Sequence, residues 1–174
     1  MESDSKLVGS EQRIVPEKVV TTHEGDDGRT SLGIHGYVDK PDSRIDLMGG
    51  LDELRTLSHN LPDKPAWVTQ LLTDMMVSLI KVHDIQHDER IKTMEAEINL
   101  LRHSVVFTQT GWFTPTNEAS HKWDFFRVRI RSVERDAWRV YVLNEKKERF
   151  KEMSQLLNRL SDYSFLVAMV QAQK

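Results

Sequence analysis

Apolar residues recur every three or four positions over most of the chain from Arg44 onward, which is the period of an amphipathic α-helix. Turn-forming residues divide this pattern into five stretches. Their apolar stripes are Leu47, Leu51, Leu54 and Ser58; Trp67, Leu71, Met75, Ser78 and Val82; Ile91, Met94, Ile98, Leu101 and Val105; Trp123, Phe126, Ile130, Val133, Ala137 and Val140; and Phe150, Met153, Leu157, Leu160, Ser164 and Val167. Sustained spacing of this kind, with short connections, is typical of antiparallel helices packed side by side. The pattern therefore predicts an all-α, up-and-down five-helix bundle that forms a single domain over residues 44–174.

The first 43 residues lack this helical period. Residues 1–20 are polar and predict a flexible arm. Residues 21–43 hold four of the eight glycines and predict a long glycine-rich loop, which ends at the helix-capping candidates Asp42 and Ser43. A loop of this length is typical of a functional segment or of a disordered linker, and the glycines alone favour neither.

Composition narrows the class of protein. The 174 residues include no cysteine, which excludes disulfides, thiolate metal sites and a cysteine nucleophile. No apolar run has the length of a membrane span, and the first residues lack the pattern of a signal peptide, so we expect a cytoplasmic protein without a membrane partner. The net charge of −3 argues against nucleic acid as a partner.

Positive charge is concentrated in one part of this acidic chain. Residues 122–151 contain ten basic and five acidic side chains. Arg127, Arg131 and Arg135 repeat every four residues and would form one ridge of a helix, where like charges repel. The positive charge of this ridge could be balanced by Glu134, by an anionic ligand or by a neighbouring subunit. A solvated helix face is the commoner explanation of such a pattern.

Two further groups of polar residues carry possible chemistry. Asn158, Ser161 and Asp162 share one face of the fifth helix and need hydrogen-bond partners if they are buried. His83 and His87 have the spacing of two metal ligands on a helix, but no third ligand is evident. The sequence therefore leaves any metal ligand unknown.

Four blocks of sequence resemble those of the trimeric, five-helix ATP:cob(I)alamin adenosyltransferases. The segment Thr22–Leu32 reads THEGDDGRTSL and resembles the family's loop T-[KR]-x-G-D-x-G-x-T-x-L. Gly50–Leu54 resembles G-x-V-D-E-L, and Arg127–Arg135 resembles R-x-x-x-R-R-x-E-R. Leu157–Tyr163 matches L-N-R-L-S-D-Y in every letter. The blocks occur in the family's order and span about residues 21–170.

This resemblance implies a function and a set of site residues. The family transfers the 5′-deoxyadenosyl group of ATP to the cobalt of cob(I)alamin and releases triphosphate, with Mg²⁺ as cofactor and a homotrimer as the assembly. The catalytic residues implied are Arg131 and Asn158. The ATP-binding residues implied are Thr22, His23, Gly25, Asp26, Gly28, Thr30, Ser31, Arg131, Glu134, Arg135 and Asn158. The aromatic residue implied to face cobalamin is Trp112, with Phe113 as the alternative. Asp52 and Arg127 would form a salt bridge between subunits.

The chain departs from the family's motifs at several positions, which identifies it as a divergent member. The departures are His23 for a basic residue of the loop, Ile34 and His35 within the glycine run, Arg55 for an asparagine, Thr116 in the turn before the fourth helix, and Ser132 for an arginine. They leave two alternatives open. One is a relative that binds ATP or corrinoid without transfer, as a carrier, sensor or scaffold. The other is a helical interaction protein whose arginine ridge meets an acidic partner.

The proposed site residues also have purely structural interpretations. Trp112 and Phe113 are compatible with ordinary aromatic residues that pack in the hydrophobic core. Arg131 and Arg135 are compatible with surface salt bridges, and Asn158 with a buried polar residue that fixes helix register.

Overall fold

Five helices account for most of the molecule. The computed structural model describes residues 22–106 and 111–174, so the predicted arm over residues 1–20 lies outside the described residues. The helices are α1 (Ser43–Ser58), α2 (Ala66–Ile80), α3 (His87–Ser104), α4 (Glu118–Leu143) and α5 (Glu148–Ala172). The all-α prediction is confirmed. No helix in this part of the chain is both long enough and apolar enough to cross a membrane.

Helices α1 and α4 both begin at polar caps, of which the sequence analysis predicts the one at Asp42. The Asp42 side chain accepts a hydrogen bond from the Arg44 backbone N–H at the start of α1, at 2.9 Å. Asn117 and Ser120 exchange side-chain and backbone hydrogen bonds in a capping box at the start of α4. Such caps satisfy amides that have no partner within the helix.

Contacts between helices establish the up-and-down order. Near the connection of α1 and α2, the hydroxyls of Ser58 and Thr69 lie 2.8 Å apart. Asn117, before α4, donates to the carbonyl oxygen of Gln171 near the end of α5, at 2.7 Å. Helices α4 and α5 are therefore antiparallel.

Helix α2 also runs antiparallel to α5. The rings of Trp67 and Tyr163 meet edge to face with centroids 5.0 Å apart, early in α2 and late in α5. At the other end, Arg149 donates to the carbonyl oxygen of Ser78 at 3.4 Å. The alternating direction follows from the connections along the chain.

The predicted stripes of α4 and α5 form the centre of the core. All six stripe residues of α4 and all six of α5 are buried. The stripe of α3 is less deeply covered, since only Met94 is fully buried there. One stripe residue was predicted wrongly. Val82 is 89% exposed, because α2 ends at Ile80 and the next residue, Lys81, is extended.

The glycine-rich segment contains a short hairpin that the sequence pattern does not reveal. Strands β1 (Arg29–Ser31) and β2 (Tyr37–Asp39) pair antiparallel, with Thr30 opposite Val38. Between them, residues 33–35 form a single 3₁₀ turn. The hairpin packs against the C-terminal end of α2 through this turn.

Candidate functional site

A cavity of about 320 Å³ lies between α4, α5 and the residues that precede α4. Its lining residues are Gly111, Trp112, Phe113, Arg127, Arg131, Ser161, Asp162 and Phe165. The cavity therefore brings together both candidate cobalamin-facing aromatics, two residues of the arginine ridge and part of the polar cluster of α5. These residues come from separate stretches of the chain that only the antiparallel packing of α4 and α5 places side by side.

The two adjacent aromatics of this cavity have different surroundings. Trp112 is 97% exposed, so its ring is available to a ligand. Phe113 is half-buried and meets the Phe165 ring edge to face, with centroids 5.6 Å apart. Phe113 is thus part of the cavity wall, while Trp112 projects at its edge. An aromatic ring with one free face can stack on a flat, conjugated ligand.

Arg127 is already paired within its own chain. Its Nε donates to Oδ1 of Asp124 at 2.8 Å, and its guanidinium carbon lies 5.5 Å from the centre of the Phe165 ring. Asp52, its predicted partner, instead lies 2.9 Å from the guanidinium of Arg55. The predicted pair of Asp52 and Arg127 does not form within one chain, and as a contact between subunits it remains a prediction.

Of the two ridge arginines that line the cavity, Arg131 is the one without a carboxylate partner in the part of the chain that the structure describes. Among the described residues, no carboxylate lies within 4 Å of its guanidinium, and the side chain is exposed. The guanidinium of Arg135 donates to the backbone carbonyl oxygen of Arg131 at 2.8 Å. A guanidinium presents donors in a planar fork that suits phosphate oxygens. Arg131 can therefore bind an anion in the cavity.

A carboxylate pair borders Arg131. Burial raises the pKa of Glu134 above its ordinary value, the nearby Arg131 lowers it, and the negative charge of Asp162 raises it. Asp162 itself lies 2.9 Å from Nη2 of Arg159. Acidic and basic side chains of α4 and α5 are thus interspersed beside the cavity.

Asn158 does not face this cavity. It lines a second cavity of about 320 Å³ between α3 and α5, with His87, Ile91, Glu95, Gln155 and Arg159. The Arg159–Asp162 ion pair links the two cavities across the surface of α5. Within one chain, the structure therefore separates Arg131 and Asn158, which the resemblance assigns to one nucleotide.

The two histidines with metal-ligand spacing lie on different elements. Nε2 of His83, after α2, is 3.6 Å from Asp74, and Nδ1 of His87, in α3, is 2.9 Å from Asp88. Within residues 22–106 and 111–174, no group of three histidine, aspartate or glutamate residues could hold a metal ion. The described residues therefore offer no resident metal site.

The glycine-rich loop is folded through its own turns. Within Glu24–Arg29, four backbone N–H groups donate to oxygen atoms of the same loop: those of Glu24, Asp26, Gly28 and Arg29. Gly25 has a φ of +92°, and a Cβ there would lie 2.8 Å from the carbonyl oxygen of Arg29. His23 and Asp26 are exposed and lie 3.1 Å apart. The hydroxyls of Thr30 and Ser31 are therefore better placed than these amides to meet a phosphate.

The loop and the Trp112 cavity lie at different levels of the bundle. The hairpin contacts Arg149 at the beginning of α5, whereas Phe165 of the cavity lies sixteen residues further along that helix. That separation is about 24 Å along the helix axis. One chain alone therefore does not bring its glycine-rich loop to its own Arg131.

Phe165, like Gly111, is a cavity residue that the sequence pattern did not identify as functional. It lies outside the apolar stripe of α5 and one turn beyond Ser161. Its sequence signal is an aromatic residue that lies outside the packing stripe of its helix and next to a polar cluster.

Comparisons with known proteins agree on one family. A family model described as cobalamin adenosyltransferase matches residues 20–171. A variant PduO-type ATP:co(I)rrinoid adenosyltransferase from Lactobacillus reuteri, complexed with ATP, is 20% identical with a TM-score of 0.75, and the match covers 87% of this chain and 93% of that chain. Another variant PduO-type ATP:corrinoid adenosyltransferase from Lactobacillus reuteri, complexed with cobalamin and ATP, is 21% identical with a TM-score of 0.72, over 88% of this chain and 91% of that chain. No curated protein matches the chain.

Proposed function

Because the chain belongs to the cobalamin adenosyltransferase family, we propose that the cavity beside Trp112 and Arg131 is where its corrinoid and ATP react. The resemblance seen in the four sequence blocks is confirmed. The enzyme transfers the 5′-deoxyadenosyl group of ATP to the cobalt of cob(I)alamin, and triphosphate is released.

The reaction is a displacement at carbon. The electron pair of the Co(I) substrate forms a bond to the 5′-carbon of ATP, and the bond from that carbon to oxygen breaks. The released triphosphate takes the bonding electrons and gains negative charge. No protein side chain acts as the nucleophile, so the protein contributes by holding the two substrates at reacting distance and by stabilising the leaving group.

One observation carries the assignment: a free aromatic ring and a free guanidinium line the same cavity. Trp112 can lie against the flat corrin ring, because it is 97% exposed. Arg131 can donate to the triphosphate, and these hydrogen bonds strengthen as charge accumulates on it. Ser161 and Asp162 add polar groups for the amide-bearing edge of a corrinoid.

We propose that the active assembly is a homotrimer with each site between two subunits. A cavity of about 320 Å³ is at the small end for ligand pockets and holds only part of a corrinoid, so a second surface must complete it. The glycine-rich loop, placed far along the bundle from Arg131, can supply Thr30 and Ser31 to the site of a neighbouring copy. The same arrangement lets Asn158 contact a nucleotide that extends past α5.

Mg²⁺ enters as MgATP, held by the phosphate oxygens, since Mg²⁺ keeps several waters in such sites and the described residues contain no cluster of three histidine or carboxylate side chains that could hold a metal ion. The enzyme works in the cytoplasm, where ATP and reducing conditions occur together. Fractionation of cells that produce a tagged protein would test that location.

A spectroscopic assay tests the function directly. The purified protein is mixed with ATP, Mg²⁺ and chemically reduced cobalamin. We expect the absorbance of Co(I) to disappear and a light-sensitive product to form. Thermal stabilisation by ATP without this product would contradict the catalytic proposal and favour a relative that only binds its ligands.

A further inference from the structure

His35 interrupts the glycine run of the resembled family, and the assigned reaction gives it no role. It closes the 3₁₀ turn between β1 and β2, at the tip of the glycine-rich hairpin. This tip is where the hairpin meets the helical bundle. His35 therefore lies where it can determine how the hairpin binds to the helical bundle.

The backbone of this tip packs tightly on α2. Leu32, which precedes the turn, is 1% exposed. A Cβ built on Gly33 would lie 2.1 Å from the carbonyl oxygen of Ile80, so only glycine fits there. The close approach fixes where the turn lies, and it brings the His35 side chain to the beginning of α5.

One arginine joins the hairpin to two helices. Nη2 of Arg149, in α5, lies 3.2 Å from Nε2 of His35, and its Nη1 donates to the carbonyl oxygen of Ser78 in α2. The Arg149 guanidinium carbon also lies 4.7 Å from the centre of the Phe150 ring, which holds the side chain in place. Because a guanidinium only donates, Nε2 of His35 must accept, and the imidazole must be neutral with its proton on Nδ1.

The charges facing His35 are mostly positive. They come from Arg149 of α5, Arg44 of α1 and Lys147 before α5, while Asp42 is the opposing acid. Asp42 is itself bound to Arg44, at 2.6 Å. Burial, followed by these three cations, lowers the pKa of His35 below its ordinary value of 6.5, and Asp42 raises it. A protonated imidazole would meet uncompensated positive charge here.

We propose that the contact of neutral His35 with Arg149 is the positioning contact that holds the glycine-rich hairpin on the bundle, so that hairpin docking weakens in acid. The effect on catalysis rests on the proposed function, because it requires the hairpin to contribute to ATP binding. His35 acts through the hairpin and touches no substrate.

The sign of the pH effect follows from the direction of the pKa shift. Well above pH 6.5 the imidazole is neutral whether the hairpin is docked or released, so the contact contributes fully. As the pH falls from 6.5 through the lower pKa of the docked state, the released form takes up a proton first. The equilibrium constant for docking of the hairpin then falls by at most about tenfold per pH unit, which is the limit for an equilibrium linked to a single proton.

Hydrogen exchange of the free protein tests the docking itself, without ATP. Amides of residues 29–39 are followed at pH 7.5 and pH 5.5, with correction for the intrinsic pH dependence of exchange. We expect roughly threefold to tenfold faster exchange at pH 5.5 in the parent protein. His35→Gln retains an acceptor for Arg149 but does not titrate, so its corrected exchange should not change with pH. His35→Lys should exchange fast at both values.

A control and an activity measurement separate this inference from the assignment of function. His121→Gln, which removes an exposed histidine of α4, should keep the parent's pH response. In the active enzyme, the KM for ATP should rise in acid in the parent but not in His35→Gln, while kcat changes little. Equal corrected exchange at both pH values in the parent would overturn the inference, even if ATP turnover is normal. A pH-dependent hairpin with an unchanged KM for ATP would instead overturn the nucleotide role assigned to the loop.

Discussion

The three arginines of the α4 ridge have the same spacing in sequence but different partners in the structure. Arg127 is bound to Asp124 and lies over the Phe165 ring. The guanidinium of Arg135 donates to the backbone of Arg131. Arg131 keeps its donors for a ligand. Among the described residues, only Arg127 of the three is held by a carboxylate of its own chain, and Arg131 is the ridge residue without one that lines the cavity. Only the neighbouring side chains determine this distinction.

Replacement of Arg131 by lysine tests that distinction. Lysine keeps the charge but loses the planar fork, so Arg131→Lys should lower kcat/KM for ATP by roughly tenfold to a thousandfold, or about 1.4–4 kcal/mol. Arg139→Lys is the matched control, because Arg139 lies on the same helix, is exposed and pairs with Asp136 at 2.9 Å. Steady-state kinetics and circular dichroism measure both variants. Unchanged kinetics in Arg131→Lys would remove Arg131 from the site.

Truncation of Trp112 tests whether its exposed ring binds the corrinoid. Trp112→Ala removes an exposed ring, so the melting temperature should barely change. Loss of its stacking, worth about 0.5–1.5 kcal/mol, should weaken corrinoid binding roughly twofold to tenfold. Trp138→Ala is the control, since Trp138 is half-exposed on α4 and lies outside the cavity. Corrinoid binding that is reduced equally by both variants would contradict the role of Trp112.

The sequence could predict only part of this site. The adjacency of Trp112 and Phe113 is local, so the sequence motif indicates it directly. The contact of Phe113 with Phe165 depends on how two distant segments pack, and no spacing along the chain encodes it. The same holds for Asn158, whose position on α5 is predictable but whose cavity is determined by α3.

Helices α1 and α4 pack closely against each other at a glycine. A Cβ on Gly50 would lie 2.8 Å from Cγ2 of Val133, whereas one on its neighbour Gly49 would meet nothing within 4 Å. The two helices are also joined by an ion pair of Glu53 and Arg129. Gly50 opens the second block of the resembled family, and its absent side chain is what this crossing requires.

Alanine at these two glycines should have opposite effects. Gly50→Ala forces a methyl group against Val133 and should destabilise the protein by about 1–3 kcal/mol. Gly49→Ala adds helix propensity without a clash and should stabilise it by about 0.5–1 kcal/mol. Chemical denaturation measures both free energies of unfolding. Equal changes in the two variants would mean that α1 and α4 do not cross as described.

At the scale of secondary-structure elements, the sequence predicts the helices better than it predicts the hairpin. The stripes of α4 and α5 are long and regular, so their buried residues follow from the period alone. The apolar pattern predicts that α2 extends to Val82, which is too late. The helix ends at Ile80, and the pattern continues past the point where the backbone becomes extended. The hairpin has strands of three residues, and its turn depends on the close approach of Gly33 to Ile80 rather than on an alternating pattern.

At the scale of the whole molecule, the proposed trimer and a contact within α1 compete for the same carboxylate. Asp52 is expected to meet Arg127 of a neighbouring subunit, yet in the chain it is bound by Arg55. Arg55 stands where the resembled family has asparagine. The pair within α1 therefore weakens the contact that would join subunits.

Arg55→Asn should release Asp52 and tighten the assembly. An exposed ion pair is worth up to about 1 kcal/mol, so the dissociation constant per subunit interface should fall by roughly twofold to fivefold. Sedimentation velocity over a range of concentrations measures this constant. Lys151→Asn is a suitable control, since it breaks a similar pair with Glu148 on α5. A monomer at every concentration in the parent protein would refute the trimer itself.

The unusual exposure of Trp112 also gives the molecule an optical property. Trp123 is fully buried, whereas the indole of Trp112 is 97% exposed and lies at the edge of the cavity. Its fluorescence should therefore be the most red-shifted of the four tryptophans and the most accessible to acrylamide. A corrinoid bound against it would absorb its emission by energy transfer over a few ångströms. The protein thus carries its own reporter, and the loss of that red-shifted component during a titration would measure the occupancy of the cavity in real time without any label.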